Sequence, residues 1–293
     1  MLRGISRFLV AAQVLLYGAA GTSAVLSGQP PPPAPPAEIE ADRHALVALY
    51  IATDGANWVR NEGWLTDQPL STWRGVFTNP EGRVWRLELQ VNQLTGTLPP
   101  EIGDLTGLVE LDVIHNQLTG PIPPGLRRLA SLKALRLASN QLVTGSIPIE
   151  LGKLTRLDRL SLAGNQLTGP IPPSLGNLAN VRLLWLSGNQ LTGTIPPELG
   201  GLTSLESLSL GANRLTGSIP PSIGDLETLQ ILEISRNPGL SGPLPASLAG
   251  LHALDFLGIT GTDLCVPRDA HFETWLANVN FDGERCPPPG PRQ

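Results

Sequence analysis

The chain has 293 residues, a formal net charge of −5 and 41% hydrophobic residues, which is ample for a folded core. This acidic balance excludes the basic surface that nucleic-acid binding requires, so no nucleic-acid partner is expected. Glycine (32) and proline (29) are both abundant, which predicts either low complexity or turns that recur at fixed places.

The first 24 residues have the layout of an export signal. Arg3 and Arg7 precede an apolar run at residues 8–20, and small residues at 22–24 form a cleavage site. A helix over that run would span about 20 Å, short of the ~30 Å hydrocarbon core, which favours a cleaved signal over a membrane anchor. Residues 25–39 are predicted to be a proline-rich spacer. The mature chain is therefore expected outside the cell, at its surface or in a periplasm, with no membrane span.

The segment 40–83 begins with a predicted helix. Its apolar residues fit one helical face (Ala45, Leu46, Leu49 and Tyr50), and the dipeptide Asp54-Gly55 ends it. Four tryptophans follow at positions 58, 64, 73 and 85. A tryptophan stripe could bind sugar, but packing at the end of the fold is the favoured interpretation.

A pattern Leu-x-x-Leu-x-Leu-x-x-Asn-x-Leu then repeats along the chain. Seven units begin at Val84, Leu108, Leu132, Leu157, Val181, Leu205 and Leu229. Successive units are 24 residues apart, or 25 where Val143 is inserted, and a degenerate eighth unit has Thr262 in place of asparagine. Repetition this regular predicts a solenoid over residues 84–264.

Each position of the unit has a predicted role. The leucines point inward and stack on those of neighbouring units, and the middle of each unit is a short strand of a parallel sheet. The asparagine amide satisfies backbone groups where the chain leaves that strand. A glycine then permits a tight turn, at positions 96, 120, 145, 169, 193, 217 and 242.

The recurring stretch NxLTGxIPxxLGxL resembles the plant-type leucine-rich repeat of receptor-like kinases, receptor-like proteins and polygalacturonase inhibitors. The resemblance covers roughly residues 40–286. It implies an α/β solenoid, a right-handed superhelix with a parallel sheet on its concave face, capped at both ends by residues 40–83 and 265–286. The first cap departs from the family pattern, because no cysteine pair lies near the Trp-x-Gly-Val stretch.

The second cap contains another predicted helix. Phe272, Trp275, Leu276 and Val279 have helical spacing and would cover the last repeat. The two cysteines of the chain, Cys265 and Cys286, are predicted to form a disulfide in an exported protein. A zinc site with His271 is the alternative, although its ligand spacing is unusual. Residues 287–293 form a short tail.

No enzyme motif is present, and neither a cofactor nor a metal is predicted. The nearest constellation is Asp112, His115 and Ser139, for which a solvated surface is the favoured interpretation over catalysis. The chain is therefore expected to be a non-enzymatic recognition module.

Side chains beside the inward leucines should face the concave side and carry any specificity. The predicted ligand-binding residues are Glu88, Asp112, Arg136, Arg159, Leu183 and Trp185. A protein, peptide or glycan is the expected partner, and a structural spacer without a ligand is the alternative. A third possibility is ice binding on the threonine column at positions 95, 119, 144, 168, 192 and 216, although turn chemistry explains that column more simply.

Overall fold

The computed structural model describes residues 36–140 and 142–288. The predicted export signal, most of the proline-rich spacer and most of the tail lie outside the described residues. The described chain is a stack of coils, each made of a strand, a second short strand and a 3₁₀ helix. The predicted α/β solenoid is confirmed.

The first sheet is formed by the middle of each repeat, as predicted. In the described chain its ten strands are β1 (Val76–Thr78), β2 (Val84–Glu88), β4 (Glu110–Asp112), β6 (Ala134–Arg136), β8 (Arg159–Ser161), β10 (Leu183–Trp185), β12 (Ser207–Ser209), β14 (Ile231–Glu233), β16 (Phe256–Gly258) and β18 (Asn280–Asp282). Neighbouring strands pair in parallel, except that β1 pairs antiparallel with β2 at one edge. Both edge strands, β1 and β18, come from the segments that flank the repeats.

A second sheet runs beside the first, and this sheet was not predicted from the sequence. Within the described residues its strands are β3 (Thr95–Thr97), β5 (Gln117–Pro121), β7 (Leu142–Ser146), β9 (Gln166–Pro170), β11 (Gln190–Gly193), β13 (Arg214–Gly217), β15 (Gly239–Pro243) and β17 (Asp263–Cys265). The prediction of a tight turn here was wrong. The repeat glycines do have positive φ, for example 80° at Gly145, but they lie within short strands that pair with the next coil.

The third side of each coil is a 3₁₀ helix. In the repeats these helices are Pro100–Asp104, Pro124–Arg128, Ile149–Lys153, Pro173–Asn177, Pro197–Gly201, Pro221–Asp225 and Ala246–Gly250. Proline at or just before the first position suits a helix start, because its fixed φ is compatible with the helix and its missing N–H has no partner there.

The core is one continuous column of stacked leucine and isoleucine side chains, most of them with no exposed surface. A ladder of buried asparagines runs along it. Asn213 shows the pattern: its Nδ2 donates to the carbonyls of Leu186 and Leu210, and its Oδ1 accepts the N–H of Leu191. The predicted role of asparagine in satisfying the backbone is therefore observed, and each amide also ties one coil to its neighbour.

The N-terminal segment packs on the first coils. Helix α1 spans Ala37–Ala52, beginning three residues before the predicted cap at 40, and buries the predicted face around Leu46 and Leu49. Short 3₁₀ helices at Gly55–Asn57 and Leu70–Thr72 follow. Three tryptophans, at positions 58, 64 and 73, are buried against Tyr50 and one another, as the packing interpretation requires. Trp85 is partly exposed.

The C-terminal segment covers the last repeat. Helix α2 spans Ala270–Leu276 and is capped by the carboxylate of Asp269, which accepts the N–H groups of His271 and Phe272. Phe272 and Trp275 are buried, and Val279 is buried just beyond the helix. Cys265 and Cys286 form the predicted disulfide, so their sulfurs are not available to zinc. Thr262 partly replaces the missing asparagine, donating to the Ile259 carbonyl and accepting the N–H of Leu264.

Candidate binding surfaces

The outer face of the first sheet carries two rows of side chains in exact lateral register. One row runs through residues 86, 110, 134, 159, 183, 207, 231 and 256. The other runs through residues 88, 112, 136, 161, 185, 209, 233 and 258. All six predicted ligand-binding residues lie on these rows. The structure does not gather them into one cluster, because it spreads them over strands β2 to β10.

The N-terminal part of this face is occupied by ion pairs. Arg86 pairs with Glu88 on its own strand and lies 3.5 Å from Glu110 on the next. Arg136 lies 3.2 Å from Asp112, whose other oxygen accepts the N–H of Ile114. Glu88, Asp112 and Arg136 therefore have their charges compensated within the fold.

Further ion pairs line the edge where the strands of the first sheet begin. Asp158 contacts Arg159 at 3.2 Å and Arg182 at 3.9 Å, and Arg182 also contacts Glu206 at 2.7 Å. The hydrogen bonds that Arg182 donates to the Glu206 carboxylate raise the pKa of the Arg182 guanidinium above its ordinary value. Arg159 therefore has an acidic neighbour too, and its predicted role in binding remains a prediction.

The C-terminal half of the same face carries four apolar side chains, among Ser207, Ser209 and Glu233. Trp185 is 39% exposed and Ile231 is 41% exposed, and Leu183 and Phe256 are half-buried beside them. The indole Nε1 of Trp185 donates to Ser207 Oγ at 3.0 Å, which holds the ring in place. We call residues 183, 185, 231 and 256 the apolar patch. Neither Ile231 nor Phe256 was among the predicted ligand-binding residues, and Phe256 lies in the degenerate eighth unit.

A cavity of about 140 Å³ opens where the N-terminal segment meets the first repeat. Its lining residues include Arg60, Arg74, Phe77, Leu89 and Gln90. We call it the N-terminal cavity. Sequence reasoning missed it because the repeat alignment begins at Val84, whereas half of the lining comes from the segment before it. A signal was available, since two arginines flank the aromatic segment of this region.

The second sheet presents a surface rich in threonine, serine and proline that we call the threonine face. It consists of the threonines before the repeat glycines, at positions 95, 119, 144, 168, 192 and 216, and the residues after those glycines, which are threonine, serine or proline at positions 97, 121, 146, 170, 194 and 218. The later members of both rows are exposed. Arg214 on β13 is exposed and pairs laterally with Thr192 on β11, so the face carries a positive charge there.

The structure also bears on the catalytic, metal-binding and membrane-spanning possibilities raised by the sequence. Asp112 is committed to Arg136 and the Ile114 N–H, so it does not orient His115. No cluster of three potential metal ligands occurs in residues 36–140 and 142–288. Over the same residues, no helix combines the length and the apolarity needed to cross a bilayer.

Comparison with protein families identifies the repeats. Residues 155–215 match a model described as leucine rich repeat, and residues 107–129 and 131–154 match a second model with the same description. A comparison with curated protein sequences finds no match.

Comparison with solved structures finds plant proteins. The Arabidopsis receptor kinase HAESA, solved with the peptide hormone IDA and the co-receptor SERK1, is 31% identical with a TM-score of 0.73, over 82% of this chain and 41% of that one. The ectodomain of the Arabidopsis thaliana receptor kinase GASSHO1/SCHENGEN3, in complex with CASPARIAN STRIP INTEGRITY FACTOR 2, is 32% identical with a TM-score of 0.65, over 81% and 32%. A plant ice-binding protein is 26% identical with a TM-score of 0.61, over 85% and 98%. The chain thus spans less than half the length of the two receptor structures.

Proposed function

We propose that this chain, a plant-type leucine-rich repeat protein, is a non-enzymatic module that binds a protein or peptide on the outer face of its ten-stranded sheet, the face expected to be concave. The observation that carries the proposal is the apolar patch around Trp185 on that face. The similar receptor structures support the choice of partner, because HAESA was solved in complex with a peptide hormone. None of those reported above names a glycan, so a glycan partner is not carried into the proposal.

The physical reason for binding at the patch is the exposed aromatic surface held in a fixed orientation. Trp185 has lost part of its rotational freedom to the hydrogen bond with Ser207, so less ordering is required when a partner covers it. Tryptophan in such a setting is typical of residues that dominate binding energy. The ion pairs toward the N-terminus and along the edge where the strands begin supply a polar rim.

The test uses peptides selected from a random library on the purified full chain. Trp185→Ala is expected to weaken binding at least thirtyfold, which corresponds to roughly 2 kcal/mol at a dominant contact. The matched control is Ile149→Ala, which removes a side chain that is 66% exposed on the 3₁₀ side and is expected to leave affinity unchanged. Equal affinity of the Trp185 variant and the native chain, with both folded, would contradict the proposal. Failure to select any saturable binder would favour a structural spacer.

An exported location fits this function. The disulfide between Cys265 and Cys286 is typical of proteins that fold in an oxidising compartment. The similar receptor structures include an ectodomain named as such. We therefore propose that the mature protein is secreted or held at the cell surface.

Ice binding is the second candidate, favoured by the similarity to the plant ice-binding protein over 98% of its length. The threonine face is the surface proposed for it, since it is rich in threonine and its strands repeat regularly at ~4.8 Å. Purified protein should then show thermal hysteresis that is reduced by Thr192→Lys and unaffected by Ser209→Lys on the other sheet. Absence of hysteresis in the native chain would remove this candidate and leave the peptide-binding proposal untouched.

A further inference from the structure

We infer that Glu233, toward the C-terminal end of the ten-stranded sheet, selects a lysine or arginine side chain of the bound peptide. The inference rests on the proposed peptide-binding function. It adds to that function the charge of a second contact and the side of Trp185 on which this contact lies. It follows from the charge, the position and the surroundings of the Glu233 carboxylate.

The carboxylate of Glu233 is an uncompensated charge on the outer face of the sheet. On the N-terminal strands, Glu88 pairs with Arg86 and Asp112 pairs with Arg136. Glu233 is partly exposed, and it forms no ion pair with any residue in the ranges 36–140 and 142–288. A carboxylate without a cationic partner favours a partner that brings one.

The C-terminal strands supply no cation to the outward rows. From β10 to β18 these rows consist of residues 183, 207, 231, 256 and 280 and residues 185, 209, 233, 258 and 282, none of which is lysine or arginine. The row of Glu233 ends two strands further on in Asp282, whose Oδ1 accepts a hydrogen bond from Thr260 Oγ1 at 2.6 Å. The two carboxylate residues are about 10 Å apart at the backbone, at ~4.8 Å per strand. The charge on this part of both rows is therefore negative.

Two glycines make room for the Glu233 carboxylate. A Cβ at Gly258, which pairs laterally with Glu233, would overlap its Oε2, and a Cβ at Gly211 would lie 2.8 Å from its Oε1. Neither glycine has a positive φ, so the space and not the backbone distinguishes these two positions. Oε1 also accepts the N–H of Ser235 at 3.0 Å. The carboxylate is therefore held in one orientation against the surface of the sheet.

Apolar side chains lie around this carboxylate. Cε1 of Phe256 would be 3.0 Å from the same added Cβ at Gly258, so the phenyl ring and the Glu233 carboxylate are neighbours. Ile231, which is 41% exposed, lies two residues before Glu233 on the same face of β14. The aliphatic stem of a lysine or arginine can cover such apolar groups while its charged end reaches the carboxylate. Aromatic rings beside the carboxylate add a further attraction for a cation.

The register of the strands sets the spacing of the two contacts on the peptide. Trp185 pairs with Ser209, and Ser209 pairs with Glu233, so the tryptophan and the glutamate are two strand steps apart. This is about 10 Å, which an extended chain that crosses the strands covers in roughly three residues. The basic residue is therefore expected about three positions from the residue that covers Trp185.

The test uses decapeptides selected from a random library on the purified full chain and resynthesised with acetylated N-termini and amidated C-termini. Acetylation removes the α-amino group, so a basic side chain is the cation that is tested. Binders are expected to contain lysine or arginine about three residues from an aromatic or aliphatic residue. Replacement of that basic residue by norleucine should weaken binding at least tenfold, because the charge-assisted contact is lost.

Variants of the chain assign this effect to Glu233. Glu233→Gln should weaken the basic peptide by a similar factor and leave the norleucine peptide nearly unchanged. Glu198→Gln, at an exposed glutamate on the 3₁₀ side, is the matched control and should affect neither peptide. Gly258→Ala keeps the charge but displaces Oε2, so it should also weaken the basic peptide and spare the norleucine peptide. Urea unfolding checks that each variant is folded.

The outcomes that overturn the inference are distinguishable from failure of the proposed function. If norleucine peptides bind as tightly as basic ones while Trp185→Ala still weakens binding, the peptide-binding proposal stands and the cation subsite is rejected. Selection of tight binders that contain no basic residue has the same meaning. Equal weakening of both peptides by Glu233→Gln would show that Glu233 does not act through charge, and this too would overturn the assignment. If no peptide binds saturably, both proposals are rejected.

Discussion

At the scale of single residues, the carboxylate of Asp42 in helix α1 shows how the N-terminal segment is held to the repeats. Its side chain is fully buried, and its carboxylate accepts hydrogen bonds from Arg83 Nε at 2.9 Å, Arg83 Nη2 at 3.0 Å and the N–H of Val84 at 2.8 Å. This contact raises the pKa of the Arg83 guanidinium above its ordinary value. One carboxylate thus joins the N-terminal helix to the first repeat strand.

Replacing Asp42 by alanine should reduce the free energy of unfolding by roughly 3–5 kcal/mol, because it leaves the guanidinium and a backbone N–H without their partner. Asp104→Ala is the matched control. It removes an ion pair with Arg128 in which both side chains are nearly half exposed, and should cost less than about 1 kcal/mol. Urea unfolding of both variants measures the difference. Similar losses in the two would show that the buried contact does not anchor the cap.

At the scale of elements, the second sheet depends on glycines that differ in their surroundings. Gly96 in β3 has a φ of 89°, and a Cβ there would lie 2.2 Å from the carbonyl oxygen of Ala52 at the end of helix α1. Gly242 in β15 has a φ of 98°, and a Cβ there would meet no atom within 4 Å. The first glycine therefore permits close packing of the cap, whereas the second serves only the backbone.

This pair provides a controlled comparison. Gly242→Ala should cost about 1–2 kcal/mol, because alanine is strained at positive φ. Gly96→Ala should cost at least about 1 kcal/mol more, because the end of helix α1 must also move. Thermal or urea unfolding measures both variants under the same conditions. If the two substitutions cost the same, the second sheet does not pack against the cap as described.

At the scale of the whole molecule, each repeat contacts its neighbours through three parallel seams. The strands of both sheets and the 3₁₀ helices pair with those of the next coil, and the asparagine ladder links adjacent coils. Stability in such a stack is approximately a sum of units and nearest-neighbour interfaces. Removal of one complete unit should therefore be tolerated.

Deletion of residues 181–204 removes one 24-residue unit and joins equivalent positions. The shortened chain should remain folded, with a urea m-value reduced in proportion to the surface removed, and it should lose peptide binding with Trp185. Deletion of residues 181–192 is the control. It removes half a unit, breaks the register of all three seams, and should prevent cooperative folding. Circular dichroism and urea titration distinguish these results.

The sequence alone determined the repeat and therefore the fold. The leucines, the asparagine and the glycine recur at nearly constant intervals, so every coil has the same residue pattern. Stacking is the arrangement that buries the leucines of every coil. The helix around Leu46 and Leu49, the helix around Phe272 and the disulfide were predictable for the same reason. Each depends on local spacing or on the two cysteines available.

Only the tertiary structure decided which surfaces exist. The threonine-glycine segment forms a sheet because its hydrogen-bond partners lie on the next coil, about 24 residues away, and local turn chemistry cannot show this. Arg136 and Asp112 neutralise one another because lateral register places them side by side. The N-terminal cavity arises where β1 pairs with the first repeat strand and brings Arg74 and Phe77 beside Gln90, which are distant in sequence. Periodicity specifies the features that recur in every coil, whereas the N-terminal cavity depends on contacts between segments of different sequence.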